Sequence, residues 1–305
     1  MIIFYHKKYN IDFGFLNKLH PFDGLKFKKV IHEIITLPGI KIQEPEPIGQ
    51  EAIDEFVDTP LRLQIRKKSF IMRALEIPNL PFLPFFLIKR FILLPMRYGV
   101  GGTLAAAKEA LKGQNCWNLS GGYHHASQAA SEGFCIYNDV GIAVQQLRKQ
   151  NMLSVEDRVL IIDIDAHHGN GNAQAFMKDS TVFLFDIFNG QIYPQGHVTK
   201  ERLNISIPLN YGTSGQEYLV KLNNGLQKLE SGFKLAFVVA GTDVVATDPL
   251  GGLGLSVNEC YQRDALVLHR LSQLSIPAVF LGGGGYSEES AVAIATSIEK
   301  MYSTY

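Results

Sequence analysis

The stretch VLIIDIDAHHGNG, Val159 to Gly171, carries an apolar run straight into two carboxylates and two imidazoles. Val159, Leu160, Ile161 and Ile162 read as a strand buried on both faces, and Gly169-Asn170-Gly171 supplies the turn that ends it. Side chains alternate along a strand, so Asp163, Asp165 and His167 share one face while Ile164, Ala166 and His168 take the other. Carboxylate oxygen and imidazole nitrogen both suit zinc, which in catalytic sites takes three protein ligands and keeps a position open for water. A lone aspartate here would read as an ordinary ion-pair partner. Two aspartates and two histidines at the end of a buried strand read as a functional site, because placing charges there is costly. From this stretch alone, Asp163, Asp165 and His167 are equal candidates for metal ligands.

The chain has 305 residues, 46% of them hydrophobic, enough for a sizeable core in one large or two small domains. Lys plus Arg and Asp plus Glu each number 29, so no global field recruits nucleic acid, and basic clusters such as Arg66-Lys67-Lys68 are short. Cys116, Cys135 and Cys260 form no CxxC pair and no disulfide framework, which fits a reducing compartment. The amino terminus MIIFYHKKYN has His and Lys where a signal peptide needs an apolar core, so the expected location is cytoplasmic, with carriage elsewhere left to a partner. Ile77 to Met96 is apolar but interrupted by Pro78, Pro81, Pro84, Pro95, Lys89 and Arg90. It reads as a packed, irregular loop rather than a membrane span.

Strand and helix patterns alternate along the chain. Strands are expected at Ile2 to Tyr5, Cys116 to Leu119, Val159 to Asp165, Thr181 to Phe185, Asn204 to Ile207, Leu235 to Ala240 and Ala278 to Leu281. Helical spacing appears at Leu104 to Leu111, Asp139 to Gln150, Ala173 to Met177, Glu217 to Leu229, Glu259 to Leu274 and Glu288 to Met301. The pattern is α/β with a mainly parallel sheet, and no repeat or linker divides residues 1–305, so one domain is expected. Polar clusters follow the apolar strands: Ser120-Gly121-Gly122-Tyr123-His124-His125, then Gly241-Thr242-Asp243 with Asp248, then Gly282 to Gly285 with Tyr286. Ligands of open parallel sheets bind beyond the carboxyl ends of the strands, so four strands would deliver these groups to one edge. The glycine run lacks the G-x-G-x-x-G spacing, because Ser287 stands at the last position, and neither a P-loop nor a G-x-S-x-G elbow is present. Metal-assisted hydrolysis remains.

Assembled, the segments GGYHHA (Gly121 to Ala126), GFCIYNDV (Gly133 to Val140), DIDAHHGNG (Asp163 to Gly171), AGTDVVATDPLGGLGLS (Ala240 to Ser256) and LGGGGY (Leu281 to Tyr286) resemble the zinc-dependent histone deacetylases. YNIDFGFLNKLHPFD at Tyr9 to Asp23 and IYP at Ile192 to Pro194 are most similar to the class IV, histone deacetylase 11 type branch. The resemblance covers nearly the whole chain. It implies the arginase/deacetylase fold, a single α/β domain around a parallel sheet, with the active site at the carboxyl ends of its strands.

Carried over by residue, the resemblance places the zinc ligands on Asp165, His167 and Asp248. Asp163 then bonds His124 and helps hold a structural K+, while Asn170 orients His125. Gly133, Phe134 and Tyr193 match positions lining an acyl-lysine channel, although as bare aromatics Phe134 and Tyr193 would read as core. The implied reaction is hydrolysis of an N-ε-acyl-lysine amide by zinc-activated water, with His125 as general base and then acid, His124 as its electrostatic partner and Tyr286 as oxyanion donor. Asn170 stands where many class I members carry Asp, Tyr123 where Trp or Phe is common, and Gly282 to Gly285 where class IV has Ser-Gly-Gly-Tyr. Class IV resemblance implies removal of long fatty acyl groups as well as, or instead of, acetyl, and the apolar loop Leu80 to Leu94 is the candidate wall of a deep acyl site. The partner expected is therefore an acyl-lysine protein or peptide, with no nucleic acid. Two other functions share this sequence logic: an acetylpolyamine amidohydrolase with the same zinc chemistry, and a catalytically silent acyl-lysine binding module. An arginase-like two-metal enzyme fits less well, because DIDAHH lacks the D-A-H-x-D arrangement.

Overall fold

Eight strands form one sheet: β1 (Ile2–Phe4), β2 (Lys41–Gln43), β3 (Cys116–Asn118), β4 (Val159–Asp163), β5 (Val182–Asn189), β6 (Ile205–Leu209), β7 (Leu235–Val239) and β8 (Ala278–Leu281). Their spatial order is β2-β1-β3-β8-β7-β4-β5-β6, and every pair is parallel. This computed structural model describes residues 1–11, 22–78, 82–196 and 198–304, with 303 and 304 as backbone only. Most of the Tyr9 to Asp23 stretch, and Leu80 and Pro81 of the expected acyl wall, therefore lie outside the described residues.

The strands are buried as their apolar runs require. Val159 and Ile161 of β4 pack with Leu235, Phe237 and Val239 of β7 on one face of the sheet. Leu160 and Ile162 pack with Ala236 and Val238 on the other. Period-two alternation thus divides each strand between two apolar layers, and burying each large side chain contributes about 1.5–3 kcal/mol.

The helices that cover these faces are α1 (Lys26–Ile34), α2 (Gln50–Phe56), α3 (Thr59–Ile65), α4 (Lys68–Ala74), α5 (Phe85–Ile88) and α6 (Leu94–Ala110). They continue with α7 (Asp139–Lys149), α8 (Asn170–Ala175), α9 (Gly215–Leu226), α10 (Val257–Gln273) and α11 (Ser290–Thr304). Ser256 and Glu259 form a reciprocal capping box that starts α10. The segment expected to be an irregular loop, Ile77 to Met96, is instead helical from Phe85 onward, with a π-helical turn at Lys89–Leu93 running into α6. The prolines permit this because Pro84 is the N-cap of α5 and Pro95 lies in the first turn of α6, just after the widened turn.

One consequence of the topology decides the site. β3, β8, β7 and β4 are consecutive neighbours, and Asn118 pairs with Leu281, Leu281 with Val239, and Val239 with Asp163. Four strands stop on one rank, so the loops that follow them meet.

Candidate metal centre and active site

Beyond Asp163 the backbone of β4 leaves the sheet, and its amides turn to carboxylates. Asp165 N donates to Asp163 Oδ1 (3.3 Å), Ala166 N to Asp243 Oδ1 (2.9 Å) and His167 N to Asp165 Oδ1 (3.0 Å). This wrapping draws Asp165 and His167 toward the loop that follows β7. His167 Nδ1 lies 3.1 Å from Asp165 Oδ1 and 2.8 Å from Asp243 Oδ2, and the ligand atoms of Asp165, His167 and Asp243 all lie within 4.8 Å of one another. Burial alone would depress the His167 imidazole, but the Asp165 and Asp243 carboxylates lift it to about 10. Burial and the adjacent Asp165 charge push Asp243 up to about 7. Two buried carboxylates and an imidazole converging with excess negative charge form the donor set that a divalent cation neutralises, and the oxygen–nitrogen chemistry suits zinc. Gly241 and Gly284 leave room for the Asp165 carboxylate, since a Cβ at either position would press on its Oδ2.

The structure brings Asp243, a residue the sequence reading did not select, to Asp165 and His167. In Asp248, the expected third ligand, Oδ1 accepts from Leu250 N (2.9 Å) and Gly251 N (3.2 Å), and Oδ2 from Tyr286 N (2.7 Å) and Ser287 N (3.1 Å). With four backbone donors it closes its own Asp-Pro-Leu-Gly turn and splints the loop bearing Tyr286. Asp-Pro-Leu-Gly-Gly is a turn signature in which Asp bonds the amide two residues on, and Asp243 follows β7 as closely as the other strand-end groups follow theirs.

After β3, Gly121 and Gly122 adopt positive φ (82° and 72°), and a Cβ on Gly122 would crowd the backbone of Gly283. The two glycine loops thus meet backbone to backbone. Asp139 fixes the first of them by accepting from Gly122 N (3.0 Å), Tyr123 N (2.8 Å) and Thr103 Oγ1 (2.6 Å). His124 and His125 follow, both buried, with ring centroids 4.1 Å apart. His124 Nδ1 lies 2.8 Å from Asp163 Oδ2 and Nε2 3.8 Å from Asp165 Oδ1. Burial would lower this ring, but Asp163 and Asp165 raise it to about 9. His125 Nδ1 lies 2.6 Å from Asn170 Oδ1, and burial, with His124 and His167 nearby, holds this ring well below the ordinary histidine range.

The remaining candidates surround the His pair. Gly133 lies against the His125 ring, where a Cβ would collide, and Tyr193 meets that ring edge-on at 5.1 Å. Phe134 is held at φ 66° with its ring 5.7 Å from that of Tyr286. His168 points away, between Asp186 (2.7 Å) and Thr199 (3.0 Å).

Three contributors had no sequence signal. Glu132 Oε1 accepts from Asn170 Nδ2 at 2.6 Å. Buried Lys26 reaches the carbonyls of Gly283 (3.4 Å), Gly284 (3.2 Å) and Gly285 (3.5 Å), with burial lowering it to about 8. Buried Arg263, paired with Asp264, donates to Ile164 O (3.0 Å) and Gly241 O (2.5 Å), tying together the segments that precede Asp165 and Asp243. These ties depend on long-range approach, which no local pattern records.

Above this polar floor lies a mostly apolar cavity of about 220 Å³. His124, His125 and Tyr286 border it, and its wall includes Met72, Leu75, Leu83, Ile92 and Met96. Of the expected Leu80 to Leu94 wall, Leu83 and Ile92 line the cavity, whereas Phe82, Phe86, Lys89 and Arg90 face outward.

A family model described as "Histone deacetylase domain" matches residues 68–301. Histone deacetylase 2 of Arabidopsis thaliana is 33% identical over 305 residues, an alignment spanning 98% of this chain and 78% of that protein. Among solved structures, an HDAC homolog complexed with SAHA superposes with a TM-score of 0.76 at 22% identity, covering 99% of this chain and 82% of that one. An acetylpolyamine aminohydrolase from Burkholderia pseudomallei gives 0.74 at 18% identity, covering 99% and 98%. Both structural matches carry the fold.

Proposed function

The chain belongs to the histone deacetylase family, and from that premise we propose that it hydrolyses N-ε-acyl-lysine amides in proteins or peptides. The observation that carries this reading is the meeting of Asp165, His167 and Asp243 with the His124–His125 pair, which together with Tyr286 borders an apolar cavity. Asp165, His167 and Asp243 would hold a zinc ion, which when bound supplies a Lewis acid for the amide carbonyl and makes water acidic enough to ionise near neutrality. His125 takes the proton of the attacking water. Its Nδ1–H is given to Asn170 Oδ1, which leaves Nε2 as the basic atom of the ring. Charged His124, held by Asp163, disfavours a second resident positive charge on His125, so the acquired proton passes readily to the departing lysine amine. The Tyr286 hydroxyl donates to the developing oxyanion from a backbone fixed by Asp248. Gly133, Phe134 and Tyr193 form the passage for the lysine stem.

We assign the apolar cavity to the acyl group and place the chain in the class IV branch, with long acyl chains accepted as well as acetyl. A structural K+ fits beside Asp163, where Asp186 Oδ1 is buried without a hydrogen-bond partner among the described residues. The test compares lysine release from acetyl-, octanoyl- and myristoyl-lysine peptides. Turnover should vanish with a chelator, return with added zinc, and favour the longer chains. Tyr286→Phe should keep its metal and lose roughly 100- to 1000-fold in kcat, and wild-type rates in that variant would remove Tyr286 from the mechanism. Turnover of acetylspermidine without turnover of any peptide would replace this reading with a polyamine amidohydrolase. Bound metal with no turnover at all would leave a binding module.

A further inference from the structure

Charge is unevenly spread in this neutral chain. Between Arg66 and Arg90 the basic residues are Arg66, Lys67, Lys68, Arg73, Lys89 and Arg90, and Glu76 is the sole acid. Arg66, Lys67, Arg73, Lys89 and Arg90 are exposed and make no ion pair among the described residues. Among these cations stand two large apolar side chains in water, Phe82 at 95% exposure and Phe86 at 64%. These segments are neighbours: Lys68 Nζ at the head of α4 donates to Leu83 O (3.2 Å) next to Phe82, and Met72, Leu75, Leu83 and Ile92 line one cavity. Cations also sit over rings here: Arg73 over Phe70 (5.4 Å), Lys89 over Phe85 (5.1 Å) and Arg90 over Phe91 (5.7 Å).

We propose that this face, built from α4, the Phe82 loop and the α5–α6 entry, adsorbs to the surface of an anionic lipid bilayer. Exposed phenyl rings among unpaired cations form the composition that lies in a membrane interface, with rings entering the headgroup–acyl boundary and ammonium or guanidinium groups meeting lipid phosphates and carboxylates. The contact is peripheral, since no helix among the described residues is long and apolar enough to cross a membrane. The same segment turns Met72, Leu75, Leu83 and Ile92 inward to the cavity. One stretch of chain therefore offers a lipid-facing skin and an acyl-lining interior. Delivery of a fatty acyl substrate from the bilayer through this face rests on the deacylase reading above; adsorption itself does not.

Cosedimentation with phosphatidylcholine vesicles, with and without phosphatidylserine, tests the proposal. The full-length protein should pellet with the phosphatidylserine vesicles, stay in solution with phosphatidylcholine alone, and be released by salt. The double variant Phe82→Ser, Phe86→Ser should partition about tenfold less or lower still. Lys89→Glu with Arg90→Glu should lose a similar factor. Both variants should keep the far-UV circular dichroism of the wild type and its turnover of a soluble acetyl-lysine peptide. Wild-type protein that ignores both vesicle types, or variants that pellet like wild type, would overturn the assignment. So would tight binding of an oligonucleotide or acidic protein that is lost in the same variants and outcompetes vesicles. Vesicle binding without hydrolysis of any acyl-lysine would keep this face and sink the deacylase reading; hydrolysis without vesicle binding would do the reverse.

Discussion

Behind the His124–His125 pair that borders the cavity, in a cluster we call its floor, Asp165, His167 and Asp243 lie within 4.8 Å of one another, and the groups around them have named partners: Asp163 for His124, Asn170 for His125, four amides for Asp248. At the wall, Met72, Leu75, Leu83, Ile92 and Met96 enclose the same cavity through shape alone. The physics of the two regions differs. A buried charge or polar group costs several kcal/mol unless it is paired, so the paired groups of the floor hold one geometry. An apolar wall tolerates exchange of methylenes at modest cost, so its volume can drift while the floor stays fixed. On the proposed reading, chemistry is therefore set by the strand ends, and substrate size by the helices. Substitutions in the floor should abolish function; those in the wall should redirect it.

The largest effect separates two aspartates of a single loop. Asp243→Asn should weaken metal binding by more than the roughly 100-fold seen at the upper end for changes in the partners of metal ligands, with turnover lost in proportion. Asp248→Asn should leave metal affinity within a fewfold of wild type, because its oxygens are hydrogen-bonded to four backbone amides, while kcat falls through a loosened Tyr286 loop. Chelator competition reads both variants directly. The reverse pattern, with Asp248→Asn losing the metal, would return the third ligand to Asp248 and dissolve the division described here.

A smaller effect is expected at the wall. Leu83 is half-buried and lines the cavity, so Leu83→Trp fills part of that cavity without disturbing a close-packed core. The ratio of myristoyl- to acetyl-lysine kcat/KM should drop about tenfold, the scale on which an apolar pocket discriminates by size. Acetyl turnover and metal content should stay near wild type. An unchanged ratio would place the acyl chain outside this cavity.

The two regions also differ in how far the sequence discloses them. Strand β4 is legible because VLIID can satisfy only a doubly buried strand, and a parallel sheet presents strand ends at one edge, so Asp165, His167, His124, His125 and Tyr286 could be grouped before any coordinates. The approach of Asp243 to Asp165 and His167 had no local signal, because it depends on how the loop after β7 folds back. The wall was far less legible. Helices α2 to α5 are too short for a 3.6-residue period to rise above noise, and the prolines of Ile77 to Met96 mimic loop punctuation although Pro84 and Pro95 occupy helix-starting positions. A wall made only of shape leaves no motif.

Glu132 stands where floor meets wall, half-buried beside Gly133, and the smallest predicted effect falls there. The two ends of the Asn170 amide are nearly equal in shape, and either could face His125. Glu132 breaks the tie: a carboxylate only accepts, so Asn170 Nδ2 turns to Glu132 and Oδ1 turns to His125. An acceptor at that point keeps the His125 proton on Nδ1 and the lone pair on Nε2. Without Glu132, the amide can rotate and present its NH2 group to Nδ1, which favours the opposite tautomer and removes the base. The preference at stake is about one hydrogen bond, ~1 kcal/mol, or a factor of about 5 in population. Glu132→Ala should therefore lower kcat about fivefold with KM unchanged and metal affinity intact, whereas Glu132→Gln, whose carbonyl still accepts, should recover most of the loss. If Glu132→Gln is as impaired as Glu132→Ala, charge rather than amide orientation is the operative property. His125 would then depend on a carboxylate acting through an intervening amide, and the floor would extend one residue further toward solvent than its metal ligands suggest.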